Sequence, residues 1–99
     1  KTTDEEAYQH ALNNLRAQID TIDQNLLDTL GKRMNVAVEI GALKKSNNVA
    51  VLQNKRWNEI LGKMILEGQE RELSEEFILR VFKAIHQESI NKQEKILNA

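Results

Sequence analysis

Residues 11–45 read ALNNLRAQIDTIDQNLLDTLGKRMNVAVEIGALKK, and apolar side chains recur in this stretch at spacings of three and four. Such spacing places them along one face of an α-helix, with polar residues on the other faces. The apolar stripe consists of Leu12, Leu15, Ile19, Ile22, Leu26, Leu30, Ala37 and Ile40. We therefore predict one long first helix over about residues 5–45.

Two shorter helices are predicted downstream. The polar residues 46–48, Ser-Asn-Asn, indicate a turn, and a second helix is expected over about residues 53–67 with Gly68 as its C-terminal cap. Ser74 is a good N-cap for a third helix over about residues 75–97. No proline occurs in the 99 residues and strand-like alternation is absent, so the predicted fold is all-α, in one domain over residues 1–99.

The first helix is too long for one chain to cover. About 35 to 40 residues at 1.5 Å each give a helix ~55 Å long, whereas a compact domain of 100 residues is only ~33 Å across. Gly31 and Gly41 interrupt this helix, and we expect close helix packing at both rather than a break. The simplest partner for the uncovered stripe is a second copy, so we predict an intertwined homodimer with three helices per protomer.

Composition excludes several kinds of partner. With 14 Lys and Arg against 15 Asp and Glu, the formal net charge is -1, which provides no general attraction for nucleic acid or an anionic membrane. There is no cysteine, and the apolar runs are far shorter than the ~20 residues needed to span a bilayer. We expect a soluble, cytoplasmic protein. Because the chain begins with Lys1, it can equally be a domain of a longer polypeptide.

Polar residues interrupt two of the predicted apolar stripes. The first stripe, continued at its own spacing, includes Arg33 and Lys44, and the stripe of the third helix includes Ser89 and Gln93. The first two are 11 residues apart, or ~16 Å along one helix face, so both side chains can reach a small molecule between them. Buried cations need partners, and no acidic residue shares these stripes, which favours a small dianionic ligand.

Ordinary structural roles for these residues stay open. Arg33 and Lys44 can extend to solvent or pair with acids of another helix. Ser89 and Gln93 can form an interhelical hydrogen bond or lie at a solvated helix edge. Arg16 is ~26 Å from Arg33 along the axis, so it reaches the same ligand only in a symmetric partner, and otherwise an ion pair with Asp20 is expected.

Motifs for other kinds of chemistry are absent. The chain has no glycine-rich phosphate loop, no HExxH sequence and no serine, histidine and aspartate order typical of a hydrolase. His10 and His86 lack a second histidine or a spaced pair of carboxylates, so each is expected on a helix surface and no metal is predicted.

A set of motifs extends over nearly the whole chain. They are Leu15-Arg16-x-x-Ile19-Asp20-x-Ile22-Asp23, Leu27-x-x-Leu30-x-x-Arg33, Val38-x-Ile40-Gly41-x-x-Lys44, Arg56, and Ser89 with Gln93. In these motifs the chain resembles the all-helical class of chorismate mutases. The resemblance implies a homodimer whose first helices span both subunits and form two equivalent active sites. It also implies conversion of chorismate to prephenate by an intramolecular rearrangement that needs no cofactor, nucleophile or metal.

The resemblance also assigns roles to the matching residues. Arg16 of one protomer and Arg33 of the other would bind substrate carboxylates in one pocket, and Lys44 would bind a carboxylate and the ether oxygen. Gln93 would donate to that ether oxygen and Ser89 would contact a carboxylate. A further pair, Arg56 and Gln53, would line the wall formed by the second helix.

One departure concerns the substrate hydroxyl. Several relatives place acidic residues near the arginine of the second helix to contact this hydroxyl, whereas this chain has Gln53 and Trp57. The amide of Gln53 can still form that hydrogen bond, but Trp57 cannot replace a carboxylate and is expected to pack.

Two other functions fit the same features. An isochorismate pyruvate lyase is similar in fold and in its cationic pocket, and differs in its products, salicylate and pyruvate. A non-catalytic dimerisation or regulatory module of a fused shikimate-pathway enzyme would share the fold without turnover. The resemblance also suggests a fusion partner for the mutase itself, since family members are commonly joined to a shikimate-pathway synthase.

Overall fold

The computed structural model describes residues 3–99, which form three α-helices. These are α1 (Asp4–Ser46), α2 (Asn54–Glu70) and α3 (Glu75–Leu97), and residues 3–99 contain no strand. The predicted all-α fold with three helices is therefore confirmed. The chain divides into two compact units, the first ending at Arg33 and the second running from Met34 to Ala99, and each is described by itself.

Turn residues explain where α1 and α3 meet the loops. After Ser46, Asn48 adopts a positive φ of 56°, and the Val49 amide donates to the Lys44 carbonyl at 2.9 Å, which ends α1 at the predicted polar turn. Ser74 has extended backbone angles, and its hydroxyl accepts from the Phe77 amide at 3.2 Å. The predicted N-cap of α3 is confirmed.

The prediction that Gly68 caps α2 is wrong. The helix continues through Glu70, and the residue that takes a positive φ in the following turn is Glu72, at 59°. Gly68 is instead buried in the last turn of α2, where an added Cβ would lie 2.7 Å from Cγ1 of Ile78. Its lack of a side chain serves the close approach of α3 rather than the turn.

The first unit leaves most of its apolar stripe uncovered. Four stripe side chains are more than half exposed, a fraction typical of surface residues rather than core: Leu15 at 59%, Ile19 at 56%, Ile22 at 58% and Leu26 at 55%. Leu12 and Leu30, toward the two ends of the unit, are half-buried. This part of α1 thus has an apolar face without a partner among the described residues.

The second unit contains a small core. Ala37, Val51 and Ile78 are less than a tenth exposed, and the half-buried Phe82 and Ile85 extend the inner face of α3. In the described residues, 3–99, no helix is both long enough and apolar enough to cross a bilayer.

Two glycines of α2 are expected to respond oppositely to alanine. At Gly62 an added Cβ meets no atom within 4 Å, so Gly62→Ala should raise the free energy of unfolding by about 0.5–1 kcal/mol through helix propensity. At Gly68 the Ile78 side chain blocks the added Cβ, so Gly68→Ala should lower the free energy of unfolding by about 1–3 kcal/mol. Urea unfolding at a fixed protein concentration measures both, and equal responses would contradict this packing.

Candidate active site

A partly buried polar cluster joins the end of α1 to α3 in the second unit. Lys44 Nζ donates to Gln93 Oε1 at 2.9 Å and to the Val51 carbonyl at 2.7 Å. Gln93 Nε2 in turn donates to Ser89 Oγ at 3.1 Å, one turn earlier on α3. We call Lys44, Ser89, Gln93 and the Val51 carbonyl the Lys44 cluster.

The cluster forms where α1 and α3 approach closely. Gly41 is buried, and a Cβ added to it would lie 3.0 Å from the Cα of Gln93. The close packing predicted at Gly41 is confirmed. At Gly31 the helix is likewise unbroken, and an added Cβ there meets no described atom within 4 Å, so close packing at Gly31 stays a prediction for the dimer.

The positive charge of the Lys44 cluster is partly shielded from water. Gln93 is only 5% exposed, and the Lys44 ammonium is partly desolvated, which lowers the pKa of Lys44 from its usual 10.5. The acceptors of Lys44 are a carbonyl and an amide oxygen, both of which are uncharged. The cation is thus hydrogen-bonded but not neutralised, a state that an anionic ligand would stabilise.

Sequence reasoning left open an interhelical hydrogen bond as the role of Gln93, and the structure contains that bond. The bond is compatible with a ligand site, because an ammonium has three donors and an amide has both donors and an acceptor. Sequence reasoning missed the Val51 carbonyl, because any residue type can supply a backbone oxygen. The turn signal at residues 46–48 indicated only that the chain folds back near Lys44.

The other predicted site residues lie outside the cluster. Arg16 and Arg33 belong to the first unit, where Arg16 is exposed and Arg33 is half-buried. The ion pair considered for Arg16 and Asp20 is not formed in the described chain. Gln53 precedes α2 without capping it through its side chain, and Arg56 is exposed in the first turn.

An aromatic stack fixes α2 against α3 beside Arg56. The rings of Trp57 and His86 are nearly parallel, with an interplanar angle of 17° and centroids 4.1 Å apart, and both side chains are half-buried. Trp57 therefore packs, as expected. His86 was expected on the helix surface, and that expectation is wrong, because its ring covers the indole.

Within residues 3–99 no group of three His, Cys, Asp or Glu side chains is arranged to hold a metal ion.

Comparison with known proteins places these residues in a family context. The family model of chorismate mutase type II matches residues 15–94, which contain the whole Lys44 cluster. The chain is 33% identical over 82 residues to a bifunctional chorismate mutase/prephenate dehydratase of Buchnera aphidicola, covering 83% of this chain and 21% of that protein. The enzyme of the same name from Escherichia coli is 31% identical over 83 residues, which are 84% of this chain and 22% of the relative.

A shorter relative matches almost end to end. The 4-amino-4-deoxychorismate mutase of Streptomyces venezuelae is 26% identical over 90 residues, covering 91% of this chain and 87% of that protein.

The bifunctional relatives are much longer than this chain, which spans about a fifth of their length. In their names the second activity is a dehydratase, whereas the resemblance suggested a fused synthase.

Proposed function

Because the chain belongs to the type II chorismate mutase family, we propose that it converts chorismate to prephenate, in the cytoplasm, for phenylalanine and tyrosine synthesis. The observation that carries this proposal is the Lys44 cluster. A partly desolvated ammonium lies 2.9 Å from a buried amide, with uncharged acceptors around it. This is the type of environment that stabilises negative charge growing on an ether oxygen.

Substrate binding would require the amide of Gln93 to turn. In the structure Gln93 Oε1 faces Lys44 and Nε2 donates to Ser89. A half-turn of the amide directs Nε2 toward the side of Lys44, where an ether oxygen can accept from both groups. The Ser89 hydroxyl can then donate to Oε1 instead of accepting from Nε2, because a hydroxyl is both donor and acceptor. Ser89 would thus support Gln93 in either orientation.

The carboxylates of the substrate require further cations. We propose that Arg33 binds one of them and that Arg16 of the partner subunit reaches the same pocket, with Arg56 and Gln53 on the α2 wall. The uncovered stripe beside Arg16 supports a homodimer, since a second copy would bury it. Holding the reactive conformer between these groups would supply much of the rate enhancement.

A second candidate substrate is 4-amino-4-deoxychorismate. The Streptomyces relative, whose name gives this activity, matches over 87% of its own length. Gln53 on the α2 wall would be compatible with either substrate, because its amide can accept from an amine or donate to a hydroxyl. The ratio of kcat/KM for the two compounds separates these candidates.

Product identification tests the proposal. Purified protein is incubated with chorismate, 4-amino-4-deoxychorismate or isochorismate, and the products are followed by NMR. Prephenate from chorismate supports the mutase, and faster turnover of the amino compound supports the second candidate. Salicylate and pyruvate from isochorismate would identify a lyase, and no turnover of any compound would leave only the non-catalytic module.

The pH dependence of the mutase should follow Lys44. Since burial lowers the pKa of the free protein's Lys44, kcat/KM should be constant near neutrality and fall as pH rises through a value below 10.5. A bound dianion favours the ammonium, so the fall in kcat should occur at higher pH than the fall in kcat/KM. Equal midpoints for the two parameters would contradict this assignment.

Gln93 should add no ionisation near neutrality, because an amide donates at any pH. Gln93→Glu is the matched variant: its carboxyl donates only when protonated, so activity should fall as pH rises through the pKa of that group. A steep loss near neutral pH in the natural sequence, abolished by Gln93→Ala, would contradict the assigned role of Gln93.

A further inference from the structure

We propose that Gly41 is a positioning residue for catalysis, which keeps the amide of Gln93 at the correct distance from Lys44. The inference rests on the proposed mutase function. An added Cβ at Gly41 would lie 3.0 Å from Cα, 3.3 Å from Cβ and 3.2 Å from Cγ of Gln93. The absence of a side chain at residue 41 therefore determines how closely Gln93 approaches α1.

Gly41 differs from the other three glycines of the chain. An added Cβ at Gly31 or Gly62 meets no described atom within 4 Å, and at Gly68 it meets the side chain of Ile78. Only at Gly41 is the closest obstacle the backbone of a residue in the Lys44 cluster. A glycine within a helix is less favourable than alanine, and at residue 41 the missing side chain leaves room for the polar contact to form.

The geometry couples the two helices at this point. Lys44 lies three residues after Gly41, so both are on one face of α1. The side chain of Gln93 crosses this face, with its Cγ above Gly41 and its Oε1 at Lys44. An alanine at residue 41 must push the α3 backbone away by a few tenths of an ångström while Lys44 stays with α1. The amide and the ammonium then no longer meet one substrate oxygen in the same geometry.

Gly41→Ala should therefore lower kcat about 10-fold, since a displacement of ~1 Å at reacting groups costs about 10²-fold and this one is smaller. KM should change less than kcat, because the affected hydrogen bond acts mainly in the transition state. Gly41→Val should cost more than Gly41→Ala.

The test is a double-mutant cycle with Gln93→Ala, measured as kcat of folded protein. If Gly41 acts through the Gln93 amide, Gly41→Ala should cost about 10-fold in the natural background and less than about 2-fold when the amide is already absent. The same fold loss in both backgrounds would overturn the proposal, as would full activity of Gly41→Ala. Absence of turnover in the natural sequence would instead refute the mutase function itself.

Stability is controlled with the other glycines. A Cβ added at Gly68 meets Ile78 and no atom of Gln93. Gly68→Ala should therefore lower stability but keep its kcat while it is folded. Adding Gly62→Ala to Gly41→Ala should raise the folded fraction and leave kcat low. If Gly62→Ala restores kcat as well, or if Gly68→Ala lowers kcat as much as Gly41→Ala, Gly41 has only a structural role.

Discussion

Lys44→Met is expected to lower kcat for the conversion of chorismate to prephenate by at least about 10²-fold, the typical effect of losing one preorganised donor to a developing oxyanion. Methionine keeps much of the side-chain volume and removes the ammonium that contacts Gln93 and Val51. A dianion should also stabilise the variant against unfolding less than it stabilises the natural sequence, because part of its binding energy is lost. Steady-state kinetics and thermal unfolding with and without ligand measure the two effects.

Two effects on the stability of the unliganded variant oppose each other at neutral pH, so its net change should be small. The oxygens of Gln93 and Val51 lose their hydrogen-bond donor, and the desolvation of a charged lysine is removed. The pKa of Lys44 is lower in the folded state than its usual 10.5, so the charged lysine disfavours folding below the folded pKa. This penalty is relieved as pH rises from the folded pKa toward 10.5, and it is absent from Lys44→Met. Large destabilisation with only a small loss of kcat would show that Lys44 is mainly structural.

Lys45→Met is the matched control. Lys45 follows in sequence and also donates to backbone oxygens, those of Ile96 at 3.2 Å and Ala99 at 2.8 Å, but it is exposed and outside the Lys44 cluster. We expect its kcat to stay within about 3-fold of the natural value, because surface substitutions away from a site usually have small effects. A loss equal to that of Lys44→Met would mean that the effect of removing a lysine at this end of α1 is not specific to the Lys44 cluster.

Arg16→Ala is expected to lower kcat/KM by about 10²-fold or more, in the range for truncating one partner of a buried charge pair. Its effect on stability should be small, since Arg16 is exposed and forms no ion pair with Asp20 in the described chain. An exposed residue without a partner among residues 3–99 is an unusual position for a large kinetic effect. The expected loss therefore depends on the second copy of the chain.

Arg80→Ala provides the control for loss of an exposed arginine. Arg80 forms an ion pair with Glu76 on the surface of α3, with 78% of its side chain exposed. Its removal should leave kcat/KM unchanged, because such pairs contribute little and it has no role in the proposed pocket. An Arg16→Ala variant as active as Arg80→Ala would remove Arg16 from the site.

The spacing of residue types predicted much of the fold, because helix periodicity and helix capping depend on residues that are close in sequence. The stripe of α1 follows from helix periodicity, and the Ser74 cap follows from a hydroxyl that satisfies a free amide. Gly68 was misassigned because glycine suits both a helix end and a close helix contact. The sequence does not distinguish these uses until the position of Ile78 is known.

Prediction of the candidate site depended on stripe positions that apolar residues would normally occupy. Lys44, Ser89 and Gln93 interrupt such stripes, and the structure brings these three together. Arg33 was found by the same reasoning and lies in the first unit. Arg16, Arg56 and Gln53 came from the resemblance alone, since an exposed arginine or glutamine gives no periodic signal.

The central proposal, that two chains build each pocket, is tested most directly by mixing two inactive variants. Arg16→Ala and Lys44→Ala are unfolded together in urea at equal concentrations, refolded, and assayed for prephenate. Random pairing makes half of the dimers mixed, each with one intact pocket of two, so about a quarter of the natural activity should return. If the mixture stays as inactive as the separate variants, Arg16 and Lys44 do not meet across a dimer.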